Sequence, residues 1–138
     1  MLTWSNLDTL ASYHELSEIQ PVELAKEMSG ENGAERVKKY AIPMAAGLTY
    51  HYGAKQVDDK ILSALDKLAK EAQLAEKFKE LYNGAVINTG ENRLVLHHLT
   101  RGQLGDAVVA DGVDKREFYV TQQQRIAEFA EKVHNGEI

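Results

Sequence analysis

Cysteine is absent from this chain. That excludes a disulfide scaffold, a Cys-ligated zinc site and a thiol nucleophile. An excess of basic residues is also missing: 16 Lys and Arg face 21 Asp and Glu, a formal charge of −5. That balance argues against nucleic acid or an anionic membrane as partner. No long apolar run opens the chain, because Asn6, Asp8, His14, Glu15 and Glu18 interrupt the amino-terminal stretch. Neither a leader peptide nor a membrane span is visible there, so a cytoplasmic setting is the default expectation. Glycines are present, but Gly102 and Gly105 stand too isolated to build a phosphate-cradling loop. Internal repeats and low-complexity segments are lacking, and proline occurs only at Pro21 and Pro43.

What remains is a helix-forming composition with 43% hydrophobic and 27% charged residues, ordinary for a soluble globular chain. The length of 138 residues suits one domain or one piece of a larger protein. Trp4, Leu7, Leu10 or Ala11, and His14 recur at helical spacing and predict a helix over 3–19. Pro21 fits the first turn of a second, short helix carrying Val22, Leu24, Ala25 and Met28. Gly30 and Gly33 read as breaks, with one more helical turn at 34–39. Tyr40, Ile42 and Met44 alternate, as do Leu48, Tyr50 and Tyr52, predicting a β-hairpin over about 40–53 with Ala46-Gly47 as its turn. Pro43 demotes the first strand to an edge or a bulge.

From Asp58, a candidate N-cap, Ile61, Leu65, Leu68 and Ala72 form a helical stripe. A further helix over 74–82 places Leu74, Phe78 and Leu81 on one face and stops at Asn83-Gly84. Residues 83–113 read as mostly irregular, with Val108-Val109-Ala110 extended and Asp111-Gly112 a turn. Asp114 caps a last helix expected to bury Phe118, Ile126, Phe129 and Val133 and to end at Asn135-Gly136. The expected fold class is mainly α with one small antiparallel hairpin. A loop of about thirty residues is long for a compact domain, so it is functional or packed on something else.

That loop holds the densest chemistry of the chain. Asn88, Thr89, Glu91 and Arg93 crowd together, Leu94, Val95 and Leu96 follow as an apolar strip, and His97, His98 and Arg101 close it. The segment resembles the phosphoglucose isomerase family, whose amino-terminal region carries a pattern like N-G-x-x-I-N-x-T-E-x-R-x-V-L-H-x-x-x-R. Asn83, Gly84, Ile87, Asn88, Glu91, Arg93, Val95, Leu96, His97 and Arg101 fit it in register. Gly90 stands where the family prefers Thr, and Leu94 where it prefers Ala. Leu48 and Tyr52 match a second family segment, L-x-x-D-Y-S-K-N, in which His51 here replaces the Asp. The order of helices, the Val109-x-Asp111-Gly112 turn and the final helix follow the family too.

The resemblance implies the amino-terminal part of a larger α/β sugar isomerase. Such an enzyme interconverts glucose 6-phosphate and fructose 6-phosphate without a metal, in glycolysis and gluconeogenesis. An acid–base pair opens the ring, a Glu shuttles a proton between C1 and C2, and an Arg stabilises the developing charge. The family's G-I-G-G-S and S-K-T-x-T-T segments and its catalytic residues have no counterpart in these residues. The resemblance therefore assigns no catalytic, substrate-binding or metal role here, no cofactor, and the remainder of the same chain as partner, with a homodimer for the full-length enzyme. A non-catalytic helical interaction module is the alternative, and an independent enzyme using Glu91 and His97 a remote third.

Two readings compete for Glu91, Arg93 and His97. They could form a base, an anion clamp and an acid, or a buried polar network that pins the loop. The network is favoured, because the resembled family keeps its catalytic groups elsewhere. Arg93 is then expected to be mostly buried and paired, with Glu91 first in line. Adjacent His97 and His98 diverge on any backbone geometry and make poor joint metal ligands. His14 is expected as a hydrogen-bonded core residue, His51 and His134 as solvated. The basic pairs Lys38-Lys39 and Lys115-Arg116 read as solvated faces. Tyr40, Tyr50 and Tyr52 read as hairpin packing rather than a sugar platform.

Overall fold

A computed structural model describes residues 2–88, 90–102 and 105–138. The chain divides into two compact units, residues 3–74 and residues 75–138, with Leu2 joining the second.

In the first unit the helix expected over 3–19 is split. A 3₁₀ turn, Leu7–Thr9, is followed by extended Leu10 and then by α1, Ala11–Ser17. The Thr9 hydroxyl donates to the Asn6 carbonyl at 2.7 Å, a local bond that competes with helix propagation. Helix α2, Leu24–Glu27, starts at an N-cap of Glu23, so Pro21 lies ahead of it rather than in its first turn. Helix α3, Gly30–Lys39, overturns the expected glycine break. Gly30 enters it at φ 62°, and Gly33 is buried inside it, where a Cβ would lie 2.4 Å from the Met28 carbonyl oxygen. Close packing, not chain termination, is what that glycine provides.

The hairpin forms where the alternation places it. Strand β1, Ala41–Pro43, pairs antiparallel with β2, Thr49–His51, in the register Ile42↔Tyr50. Ala46 (φ 57°) and Gly47 (φ 73°) carry the chain through the left-handed region at its turn. The tyrosines pack on one another: Tyr50 stacks on Tyr52 at 5.7 Å and Tyr52 leans on buried Tyr40 at 5.4 Å. Helix α4, Asp59–Glu71, has Asp58 as N-cap, its carboxylate accepting from the Ile61 N–H at 2.7 Å. It buries Ile61 and Ala64, and α1 packs against it.

Helix α5, Leu74–Tyr82, belongs to the second unit from Ala75 onward and stops at Gly84, which has a positive φ (83°). A Cβ there would meet Val108 Cγ1 at 2.3 Å, so the glycine also allows buried Val108 to approach. The segment 83–113, expected as mostly irregular, contains two further hairpins. Strand β3, Val86–Asn88, pairs with β4, Arg93–Leu94, and β5, Val109–Ala110, pairs with β6, Val113–Asp114. Among the described residues the fold is thus mainly helical with three antiparallel strand pairs, not one. Strands of two or three residues are too short to show a period of two, which is why alternation missed them. A 3₁₀ turn, His97–Thr100, places Leu99 in the core with no exposed surface.

Helix α6, Lys115–His134, is capped by Asp114 and ends at Asn135 and Gly136, as expected. Its expected burial is overturned. Phe118, Ile126, Phe129 and Val133 are 45–68% exposed, and no residue from Gln123 onward is buried. No described helix is long and apolar enough to cross a membrane.

Candidate functional site

The polar motif occupies the β3–β4 hairpin and the 3₁₀ turn after it. Between the paired positions Asn88 and Arg93 the chain turns through Asn92 at φ 51°. Asn88 holds that turn from both sides. Its Nδ2 donates to Glu91 Oε2 at 3.1 Å, and its Oδ1 accepts from the Glu91 N–H at 3.3 Å. Thr89, counted with this cluster, lies outside the described residues.

Glu91 meets Arg93 at 3.7 Å, so the expected pair is present. Its burial is not: the two side chains are 62% and 74% exposed. The apolar neighbours Leu94, Val95 and Leu96 turn partly inward, whereas Arg93 sits at the hairpin's turn end, where its guanidinium reaches water. His97 does not join them through a hydrogen bond among the described residues. Its carbonyl accepts from the Thr100 hydroxyl at 2.8 Å and from Arg101 at 3.3 Å. The structure therefore assembles Glu91 with Arg93 and leaves His97 apart.

A buried polar node of this unit lies away from Glu91, Arg93 and His97, at Arg116. Arg116, expected as half of a solvated basic pair, is 7% exposed. Its Nε donates to the Asp106 carbonyl and its Nη2 to the Tyr82 carbonyl at 3.2 Å. The guanidinium also lies 5.2 Å from the Tyr82 ring centroid. His98 stacks on the other partner of this arrangement, Tyr82, at 4.4 Å, with its Nε2 2.9 Å from the same carbonyl. Gly105 makes room: a Cβ there would stand 3.1 Å from Arg116 Nη2. Only the Asp114 cap one step before Lys115-Arg116 signalled that this pair belongs to a helix start.

A parallel node holds the first unit. Arg36 is buried and donates to three backbone carbonyls, those of Gly53 (2.7 Å), Lys55 (3.0 Å) and Val57 (2.5 Å). Binding several loop carbonyls at once is structural work for an arginine fork. Lys39, from the other basic pair, is exposed and bonds Asp59 at 2.6 Å. That contact raises the Lys39 pKa and lowers that of Asp59. Glu71 caps α1 from α4, accepting from the Ser12 hydroxyl, the Ser12 N–H at 2.8 Å and the Ala11 N–H at 3.2 Å. Those bonds, the hydroxyl's first, hold its carboxyl below the ordinary glutamate range. His14, expected in the core, is exposed and rests edge-on against Tyr13. His51 and His134 are exposed.

No three described His, Asp or Glu side chains group to hold a metal ion. The motif residues make a turn lock and an exposed ion pair, and the buried arginines bind backbone. This arrangement positions chain segments. It presents no nucleophile–base pair among Glu91, Arg93 and His97.

Comparison with known proteins agrees with the motif. The sequence pattern of the Phosphoglucose isomerase family matches residues 51–138. A glucose-6-phosphate isomerase of Treponema denticola is 46% identical over 99% of this chain, a stretch that makes up 27% of that relative. One of Borreliella afzelii is 38% identical over the whole chain and 26% of its own length. The crystal structure of a glucose-6-phosphate isomerase from Chlamydia trachomatis superposes with a TM-score of 0.71 at 29% identity, covering 91% of this chain and 25% of that one. The chain spans about a quarter of the length of these relatives.

Proposed function

The chain belongs to the phosphoglucose isomerase family, and on that premise we propose that it is the amino-terminal part of a glucose-6-phosphate isomerase and serves as a scaffold for it. The observation that carries this reading is continuous similarity along 99% of the chain to about a quarter of a named isomerase. The parent interconverts glucose 6-phosphate and fructose 6-phosphate in the cytoplasm, with no metal. Proton transfer between neighbouring carbons needs a carboxylate within hydrogen-bond reach of the carbon-bound proton. Residues beyond this segment supply that carboxylate, the acid–base pair for ring opening and the phosphate donors. Here Glu91, Arg93 and Asn88 lock a surface turn, while Arg36 and Arg116 tie loops to helices.

The test is a coupled assay on fructose 6-phosphate. The purified 138-residue chain is expected to give no turnover. Turnover that persists after host isomerase is removed genetically overturns the proposal, since the segment would then carry its own active site.

A further inference from the structure

Among the described residues, the carboxy-terminal half of α6 has no buried side chain. Its first turns are anchored: Arg116 is buried, Tyr119, Val120 and Gln122 are half-buried, and Gln123 donates to the Thr100 carbonyl at 2.8 Å. After Gln123 every residue is exposed. Ile126, Phe129 and Val133 nevertheless recur at i, i+3 and i+7, in line with Gln122 and Tyr119 one and two turns earlier. Glu128, Glu131 and Lys132 occupy other faces. Ile126 and Phe129 are 68% and 59% exposed. Helices shorter than about 12–15 residues are marginal in water without tertiary packing. An apolar stripe on such a helix gains most of its stability from whatever covers it.

We infer that the stripe Ile126–Phe129–Val133 is the docking surface for the catalytic body of the isomerase, the part of the relatives' length that this chain does not span. This inference rests on the proposed function. Two observations name the occupant. The family pattern runs through α6 to residue 138, so the helix belongs to the shared fold. About three-quarters of each relative's length lies outside the matched stretch, so a body large enough to bury the stripe exists in the same family. Docking orders the second half of α6.

The experiment co-expresses this 138-residue chain with the unmatched remainder of the Treponema denticola relative as a separate chain. Co-purification and amide hydrogen exchange are read for wild type, for the double variant Ile126→Asp, Phe129→Asp, and for Phe78→Asp on α5 as a control. Both altered positions on α6 are exposed, so the variants keep the fold of the free chain, which circular dichroism checks. The wild-type pair is expected to co-purify, with amides beyond Gln123 protected only in the complex. The double variant is expected to bind at least about tenfold more weakly, and Phe78→Asp to bind as wild type. A complex that tolerates the double variant overturns the inference and leaves the proposed function standing. Failure of the wild-type chains to associate overturns the proposed function itself. A free chain that sediments as a dimer, and as a monomer when doubly substituted, assigns the stripe to self-contact and overturns the inference.

Discussion

His98 stacks on Tyr82 with ring centroids 4.4 Å apart and meets its carbonyl oxygen at 2.9 Å, so one residue engages both the ring and the backbone of the other. Tyr82 is the last residue of α5, where a carbonyl has no partner inside the helix. The Arg116 guanidinium donates to the same oxygen. Cationic and N–H groups at a helix C-terminus complement its partial negative charge. This junction joins the end of α5, the turn after the motif and the start of α6 within the second unit.

Replacing Arg116 with Leu should therefore destabilise the protein by about 1–3 kcal/mol, the worth of hydrogen bonds donated by a buried, charged guanidinium. The Asp106 carbonyl would lose its guanidinium partner, whereas Tyr82 keeps His98. Chemical denaturation measures it. An unchanged midpoint would mean that water replaces the guanidinium freely.

Arg93→Ala should shift stability by less than about 0.5 kcal/mol, since exposed ion pairs contribute little. The same denaturation assay, run beside Arg116→Leu, separates the conspicuous motif arginine from the buried one. A larger loss for Arg93 would show that its pair with Glu91 is covered in solution.

Gly33→Ala tests packing against propensity. In an open helix the change would stabilise by about 0.8–1 kcal/mol. Here the added Cβ meets the Met28 carbonyl oxygen at 2.4 Å, so the sign should reverse. Gly84→Ala should also destabilise, through positive φ at about 1–2 kcal/mol and through its 2.3 Å approach to Val108. A raised melting temperature for either variant contradicts this account.

Glu71 predicts a pH dependence. Its carboxyl titrates below the ordinary range in the folded chain, chiefly because the Ser12 hydroxyl and N–H bond the charged form. A group with a lowered folded pKa contributes stability above its unfolded pKa, about 4.3 for Glu, and loses it as pH falls through the folded pKa. Wild type should melt above Glu71→Gln near neutral pH, and the gap should close on acidification below about pH 4. Thermal melts across that range check it. A gap that persists in acid would assign the effect to shape rather than charge.

Local signals in the sequence determined much of this protein. The Asp58 and Asp114 caps, the Ala46-Gly47 turn, the extent of α5 and the end of α6 are all set by residues within a few positions of one another. Such features depend on short-range hydrogen bonds and allowed backbone angles, which the local order of residues encodes. The motif at 83–101 likewise carried the family, because identity in register needs no coordinates. Only the tertiary structure decided which charged groups are buried. Arg93 stands among apolar neighbours yet reaches water from a hairpin turn, and Arg116 stands in a basic pair yet lies under a loop. Burial depends on which distant carbonyls come within reach of a side chain, here Asp106 and Tyr82 for Arg116 and Gly53, Lys55 and Val57 for Arg36. The same holds for α6: its period of 3.6 specifies an apolar face, and the surrounding chain decides whether anything covers it.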